Sequence, residues 1–159
     1  DIPIRTGRKI SNDMPLSLAR EVTNIVAVKD AAHDVGATAR LAADAPDGFE
    51  IYSGEDALTL PIMAVGGVGV ISVAGHWVGQ QFQSFFAALE AGDLAEAQRQ
   101  NARMLASFAF EGGDEAPNPI PTKAMMRVLG LSVGQCRPPM GPAPDGLEDR
   151  AREVLAGLR

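Results

Sequence analysis

The sequence predicts an α/β fold that gives way to an all-helical segment, and three observations carry the prediction. Three short runs, NIVAVK (24–29), FEIYS (49–53) and GVISV (69–73), are continuously or mostly apolar and rich in β-branched residues, the pattern of parallel strands covered on both faces. Lys29 to Ser53 and Ser53 to Ser72 are 24 and 19 residues apart, spacings that suit right-handed crossovers through a helix. After Val73 the strand pattern stops and only helical periodicity remains.

Taken in order, the first run ends in a charge: Ile25 to Val28 are apolar, Lys29 follows, and Asp30 comes next. DVGATARLAADAPDG then places Val35, Thr38, Ala39 and Ala42 at helical spacing, closed by Asp44 to Gly48. A shorter helix is expected in EDALTLPIMAVGG, kinked by Pro61, before the glycines at 66, 67 and 69 turn the chain into the third strand. Phe82, Phe85, Phe86 and Leu89 recur at i, i+3, i+4 and i+7, the stripe of an amphipathic helix. Asp93 and Glu96 read as a capping box opening the next helix, which continues through Leu105 and Phe108. An acidic, proline-rich loop, EGGDEAPNPIP, precedes a helix from about Thr122 to Leu129 that Gly130 stops. A second loop, CRPPMGPAPDG, leads to a last helix with Leu147, Ala151, Val154, Leu155 and Leu158 on one face.

A length of 159 residues suffices for a real core, and 46% hydrophobic with 21% charged residues is the balance of a globular chain, not a disordered one. The formal charge of −6 and pI near 4.8 argue against a nucleic-acid or anionic-membrane surface, because the 14 scattered Lys and Arg form no basic stripe. The longest apolar run, Ile62 to Gly75, is too short to span a bilayer. DIPIRTGRK lacks the charged region and apolar block of a signal peptide, so a cytoplasmic protein is expected. Cys136, the one cysteine, reads as a small hydrophobe. His33 and His76 lie 43 residues apart without companion ligands, so no metal site is expected. Gly66-Gly67-Val68-Gly69 is followed by a strand, not a helix, and reads as a turn instead of a phosphate loop.

Of the three lysines, at 9, 29 and 123, only Lys29 ends a strand. Function in α/β sheets and barrels gathers at the carboxyl ends of strands, where Lys29, Ser53-Gly54 and Ile71-Ser72 all fall. Burial there would disfavour the ammonium form and leave an amine able to attack a ketone and form a Schiff base. The plainer reading of the same residue is a lysine that snorkels out of the strand end and pairs with Asp30 or Asp34.

The order IP-x-RTG, NIVAVKDA, SGED, GVISV, NPIPTK and RPPMGP spans essentially the whole chain and resembles the dihydrodipicolinate synthase (4-hydroxy-tetrahydrodipicolinate synthase) family of pyruvate-dependent class I aldolases. The resemblance implies a (β/α)8 TIM barrel, of which residues 1–78 would form the part after strand five through strand eight. Residues 79–159 would form the barrel-closing helix and a small C-terminal helical domain. It implies the condensation of pyruvate with aspartate semialdehyde in lysine and diaminopimelate biosynthesis, by a homo-oligomer that uses no cofactor. Lys29 falls on the Schiff-base lysine, and Arg5, in IPIRTG, on the residue that grips the carboxylate of the semialdehyde. Gly54 and the Ile71 carbonyl fall on backbone groups lining the pyruvate pocket. The family's proton-relaying tyrosine would stand immediately before Asp1, and Tyr52, within a strand, is no obvious substitute. The threonines that hold the pyruvate carboxylate, a tyrosine from a neighbouring subunit and the lysine feedback site would lie further upstream, so the chain alone is expected to lack synthase activity. Sister aldolases, such as N-acetylneuraminate lyases or sugar-acid dehydratases, share the lysine and the barrel, and Arg5 separates them from this reading. A truncated, non-catalytic chain is the remaining alternative.

Overall fold

The computed structural model of the chain describes residues 1–113 and 115–158; Asp114, within the expected acidic loop, lies outside them. Two compact units are present, Asp1–Ser72 and Val73–Arg159. The expected first domain extends six residues further, to residue 78, whereas the helix beginning at Gly75 belongs wholly to the second unit.

In the first unit, strands β1 (Ala27–Asp30), β2 (Glu50–Ser53) and β3 (Gly69–Val70) form a parallel sheet in that order. The register sets Lys29 opposite Tyr52, Tyr52 opposite Gly69, and Asp30 opposite Ser53. The strand expected at 24–29 is therefore displaced: Lys29 is the third of four residues and Asp30 the last. The short β3 is prolonged by Ile71, whose N–H donates to the Ser53 carbonyl at 2.8 Å. Asp1 occupies the other edge of β1, its ammonium donating to the Lys29 carbonyl (2.7 Å) and its carbonyl accepting from Ala31 N–H (2.8 Å), the bonding of a parallel ladder.

Among the described residues of the first unit, the strands are not covered on both faces, contrary to the pattern their apolar runs predict. Burial alternates along β2, with Ile51 and Ser53 buried and Glu50 exposed, while Val26, just ahead of β1, is 59% exposed. The reason is that the described helices of this unit cover one face only. Helix α2 (Asp13–Glu21) contributes Leu16 and α3 (Val35–Asp44) contributes Leu41 to a cluster around Ile51, with Val28 packed against it. A 3-10 turn (Asp56–Leu58) leads into α4 (Thr59–Ala64), which packs on β2 and β3. Pro61 sits in the first turn of α4, where its missing N–H removes no helical bond and the expected kink has no cause. Two elements were not expected from the sequence: α2, and the single turn α1 (Pro3–Thr6) that Gly7 ends in a left-handed conformation (φ 71°).

Helix α3 is capped by Asp34, whose side chain accepts from Ala37 N–H at 2.9 Å and also pairs with Lys9. The Lys9 hydrogen bond, then the Ala37 amide, hold the Asp34 carboxyl below its ordinary value of 3.8. A depressed folded-state pKa stabilises the fold above the unfolded value, and that contribution is lost as pH falls through the folded one. Asp34→Asn keeps a capping residue but removes the charge. Its melting temperature should fall below the parent's at neutral pH, and the gap should close as pH drops through and below the ordinary carboxylate range. A gap independent of pH would show that the charge contributes nothing.

The second unit is helical: α5 (Gly75–Glu90, interrupted at Val78), α6 (Leu94–Phe110), α7 (Ile120–Val128) and α8 (Leu147–Ala156). Phe82 stacks on Phe108 at 5.8 Å between ring centroids and Trp77 meets Phe110 edge-on at 6.3 Å, so α5 and α6 run antiparallel. Only half of the expected capping box exists. Asp93 accepts from Glu96 N–H at 2.9 Å, but the Glu96 side chain turns outward to Gln100 and Arg99, which hold its carboxyl below the ordinary value, and Asp93 N–H donates to the Ala88 carbonyl instead. Gly130, at φ 87°, follows the end of α7 as expected. Cys136 is half-buried and packs with Phe110 and Met140 against a cluster of Ala116, Ile120, Ala124 and Leu147. Among the described residues no helix is long and apolar enough to cross a membrane.

Candidate active site around Lys29

Side chains alternate along a strand, so the register divides the sheet's residues between two faces. Asp30 and Ser53 share the helix-covered face, and Lys29, Tyr52 and Gly69 share the open one. Lys29 is consequently exposed, which corrects the expectation that it is buried: counting apolar neighbours in sequence does not reveal which face a residue lies on.

Of the alternative, a lysine that snorkels out of the strand end and pairs with Asp30 or Asp34, the exposure is present and the pairing is not. Asp30 is turned to the covered face at 8% exposure, where Oδ1 accepts from Ala32 N–H (2.9 Å) and Oδ2 from the Thr38 hydroxyl (2.6 Å). Hydrogen bonds to a charged acceptor each contribute about 1.5–3 kcal/mol, so Asp30 is well satisfied without Lys29. Asp34 is engaged by Lys9. Among the described residues the Lys29 ammonium makes no hydrogen bond or ion pair, whereas the Lys123 ammonium donates to the Val133 and Gln135 carbonyls at 2.9 and 2.8 Å. Of the three lysines, Lys29 has the amine left for chemistry.

Gly54 lies against this lysine. Its N–H donates to the Asp30 carbonyl at 2.7 Å, continuing the ladder past β2, and a β-carbon placed on it would stand 2.9 Å from Lys29 Cγ and Cε and from Ala31 Cβ. Only glycine lets the β2 strand end approach the lysine stem so closely. Ile71, the third residue expected at the strand ends, bonds to Ser53, the residue before Gly54, and is 48% exposed. Arg5 is exposed in α1, four residues beyond the Asp1 that borders Lys29. The structure thus joins Gly54 to Lys29 directly, ties Ile71 to the residue before Gly54, and connects Arg5 to Lys29 by chain path through Asp1 alone.

Sequence reading missed three interactions here. The Tyr52 hydroxyl donates to the Glu50 carboxylate at 2.6 Å, a bond that raises the phenol above its ordinary value of 10 and commits it away from Lys29. The alternation of β2 was the signal available for it, since residues two apart share a face. The Asp30–Thr38 bond and a His33–Glu55 contact have no such signal, because both depend on how loops and helices return to the sheet. A separate apolar cavity of about 140 Å³, lined by Met14, Leu18, Ile25, Val28, Leu41 and Phe49 among others, includes none of Arg5, Lys29, Gly54 or Ile71.

Known proteins match the chain end to end but not in length. The 4-hydroxy-tetrahydrodipicolinate synthase of Symbiobacterium thermophilum is 42% identical over 156 residues, 98% of this chain and 52% of that relative. The enzyme of the same name from Synechococcus elongatus is 43% identical over 158 residues, 99% of this chain and 52% of its own. The crystal structure of DHDPS from Cyanidioschyzon merolae with lysine bound superposes with a TM-score of 0.93 at 35% identity, covering 99% of this chain and 53% of that one. The chain spans about half the length of the curated relatives it matches. With the model of the dihydrodipicolinate synthetase family matching residues 1–157, Arg5, Lys29, Gly54 and Ile71 all inside the match, the chain belongs to that family.

Proposed function

We propose that these residues are the C-terminal part of a 4-hydroxy-tetrahydrodipicolinate synthase: the barrel from just after strand five through strand eight, then the helical domain, within a cytoplasmic homo-oligomer. The observation that carries the reading is the Lys29 amine, unpaired among the described residues, on the open face of a parallel sheet and against Gly54. The strand order β1-β2-β3 and the ladder bonds to Asp1 on the far edge of β1 suit a sheet that continues on that side. In a closed barrel the open face would be the interior, and Lys29 would point into it.

The chemistry follows from the amine. The Lys29 amine adds to the ketone carbon of pyruvate, and departure of water with uptake of one proton leaves a protonated imine whose positive charge acidifies the methyl group. Removal of a methyl proton gives an enamine, and its carbon attacks the aldehyde of aspartate semialdehyde, whose carboxylate Arg5 holds through two parallel N–H bonds. The substrate's own amino group then attacks the imine carbon, closing the ring and releasing the Lys29 amine. Gly54 and the Ile71 carbonyl line the pyruvate end. The lysine is the electron sink, so the sequence of steps calls for no metal or organic cofactor.

The test uses a full-length protein carrying these residues, assayed with both substrates and with pyruvate alone. Condensation is expected, and Arg5→Ala should cut use of the semialdehyde by about 2–5 kcal/mol of transition-state binding, the loss when a buried charge pair is broken, while imine formation from pyruvate stays near the parental rate. Equal damage to both half-reactions would make Arg5 structural. No condensation by the parent would overturn the reading.

A further inference from the structure

We propose that His33 and Glu55 form a strap between the segments leaving β1 and β2, and that both are positioning residues for the Lys29 amine, a role that rests on the Schiff-base reading above. His33 Nε2 lies 3.2 Å from Glu55 Oε2, joining the segment after β1 to the one after β2. Both anchor points are fixed. Ser53, fully buried, donates its hydroxyl to the Glu55 carbonyl at 2.7 Å and receives the Glu55 N–H at 3.3 Å. On the other side, His33 stands between Ala32, whose N–H is held by Asp30, and Asp34, the cap of α3.

The geometry closes a ring. From Asp30 the chain runs through Ala31 and Ala32 to His33, crosses to Glu55, and returns through Gly54, whose N–H meets the Asp30 carbonyl. Gly54 is thereby pressed between Ala31 Cβ and the Lys29 stem, the contacts that a β-carbon there would violate at 2.9 Å. The strap holds the ring shut and so fixes the path by which the lysine stem leaves the sheet. His33 is also the one non-glycine residue with positive φ (58°) among those described, a conformation that disfavours a β-carbon and usually falls to glycine. A histidine kept in that conformation is explained by what its ring reaches.

That conformation supplies a clean variant. In the full-length protein, His33→Gly relieves the backbone while removing the imidazole, so its melting temperature should match or exceed the parent's. Its rate of imine formation with pyruvate, read by borohydride trapping and peptide mass spectrometry at Lys29, should fall about tenfold, as expected for a misplaced reacting group. Glu55→Ala should slow trapping equally, Glu55→Gln should keep most of the rate because its side chain keeps the length that brings its end 3.2 Å from His33 Nε2, and the double variant His33→Gly/Glu55→Ala should be no slower than either single one. A parent that labels at Lys29, with single variants that label as fast, overturns the strap alone. Melting temperature and rate falling together, with no rescue by Glu55→Gln, would make the contact a structural tie and also overturn the proposal. A parent without a Lys29 adduct overturns the Schiff-base assignment and the strap's role with it.

Discussion

Replacing Lys29 by methionine in the full-length protein should abolish the borohydride-trapped pyruvate adduct and reduce condensation by about 10⁴- to 10⁶-fold, the scale on which removing a catalytic nucleophile or its partner acts. Methionine retains the length and apolar character of the stem, so the fold should be unaffected. The prediction is specific among amines. Lys123 is held by two backbone carbonyls and Lys9 by Asp34, so neither should carry adduct in the parent or acquire it in the variant. Peptide mapping decides: adduct at Lys9 or Lys123, or unchanged trapping in Lys29→Met, would remove the mechanism.

The second large effect concerns the smallest possible change. Gly54→Ala adds one methyl group, but its carbon would lie 2.9 Å from Lys29 Cγ and Cε and from Ala31 Cβ, closer than side-chain carbons pack. Ala31 belongs to a segment bonded to Asp1, so the side chain that yields is the lysine's. A displacement approaching 1 Å at a reacting group costs about 10²-fold, and the loss should fall on imine formation, before the second substrate is engaged. Single-turnover trapping separates the steps. Parental imine formation with impaired condensation would show that Gly54 matters to the later intermediate and not to the placement of the amine.

How far the sequence foretold this site depends on what each feature needs. The three strand runs were legible because β-branched apolar residues cluster there, and α3 because Val35, Thr38, Ala39 and Ala42 recur at helical spacing. Helix α2 was not. DMPLSLARE buries only Leu16, and its Pro15 reads as a breaker although it falls in the first turn, where a missing N–H costs nothing. The approach of Gly54 to Lys29 needed the ladder register, and the commitments of Asp30 and Asp34 needed Thr38 and Lys9 brought in by tertiary structure. Glu96 satisfies the local capping pattern, yet Gln100 and Arg99 compete for its carboxylate from one turn further on. Residue types marked the site; which face and which partner were set by the sheet.

Tyr52 shows what the open face demands of the residues on it. A β-carbon at Gly69 would lie 3.1 Å from Cδ1 and Cε1 of the Tyr52 ring, so the aromatic leans over β3 and fills the place where a side chain of β3 would stand. Leaning that way, it leaves the β1 side of the row to the lysine stem. Positions 52 and 69 therefore share one side chain's volume across two strands: a sequence that enlarges residue 69 must shrink residue 52, or the displaced ring is driven toward Lys29.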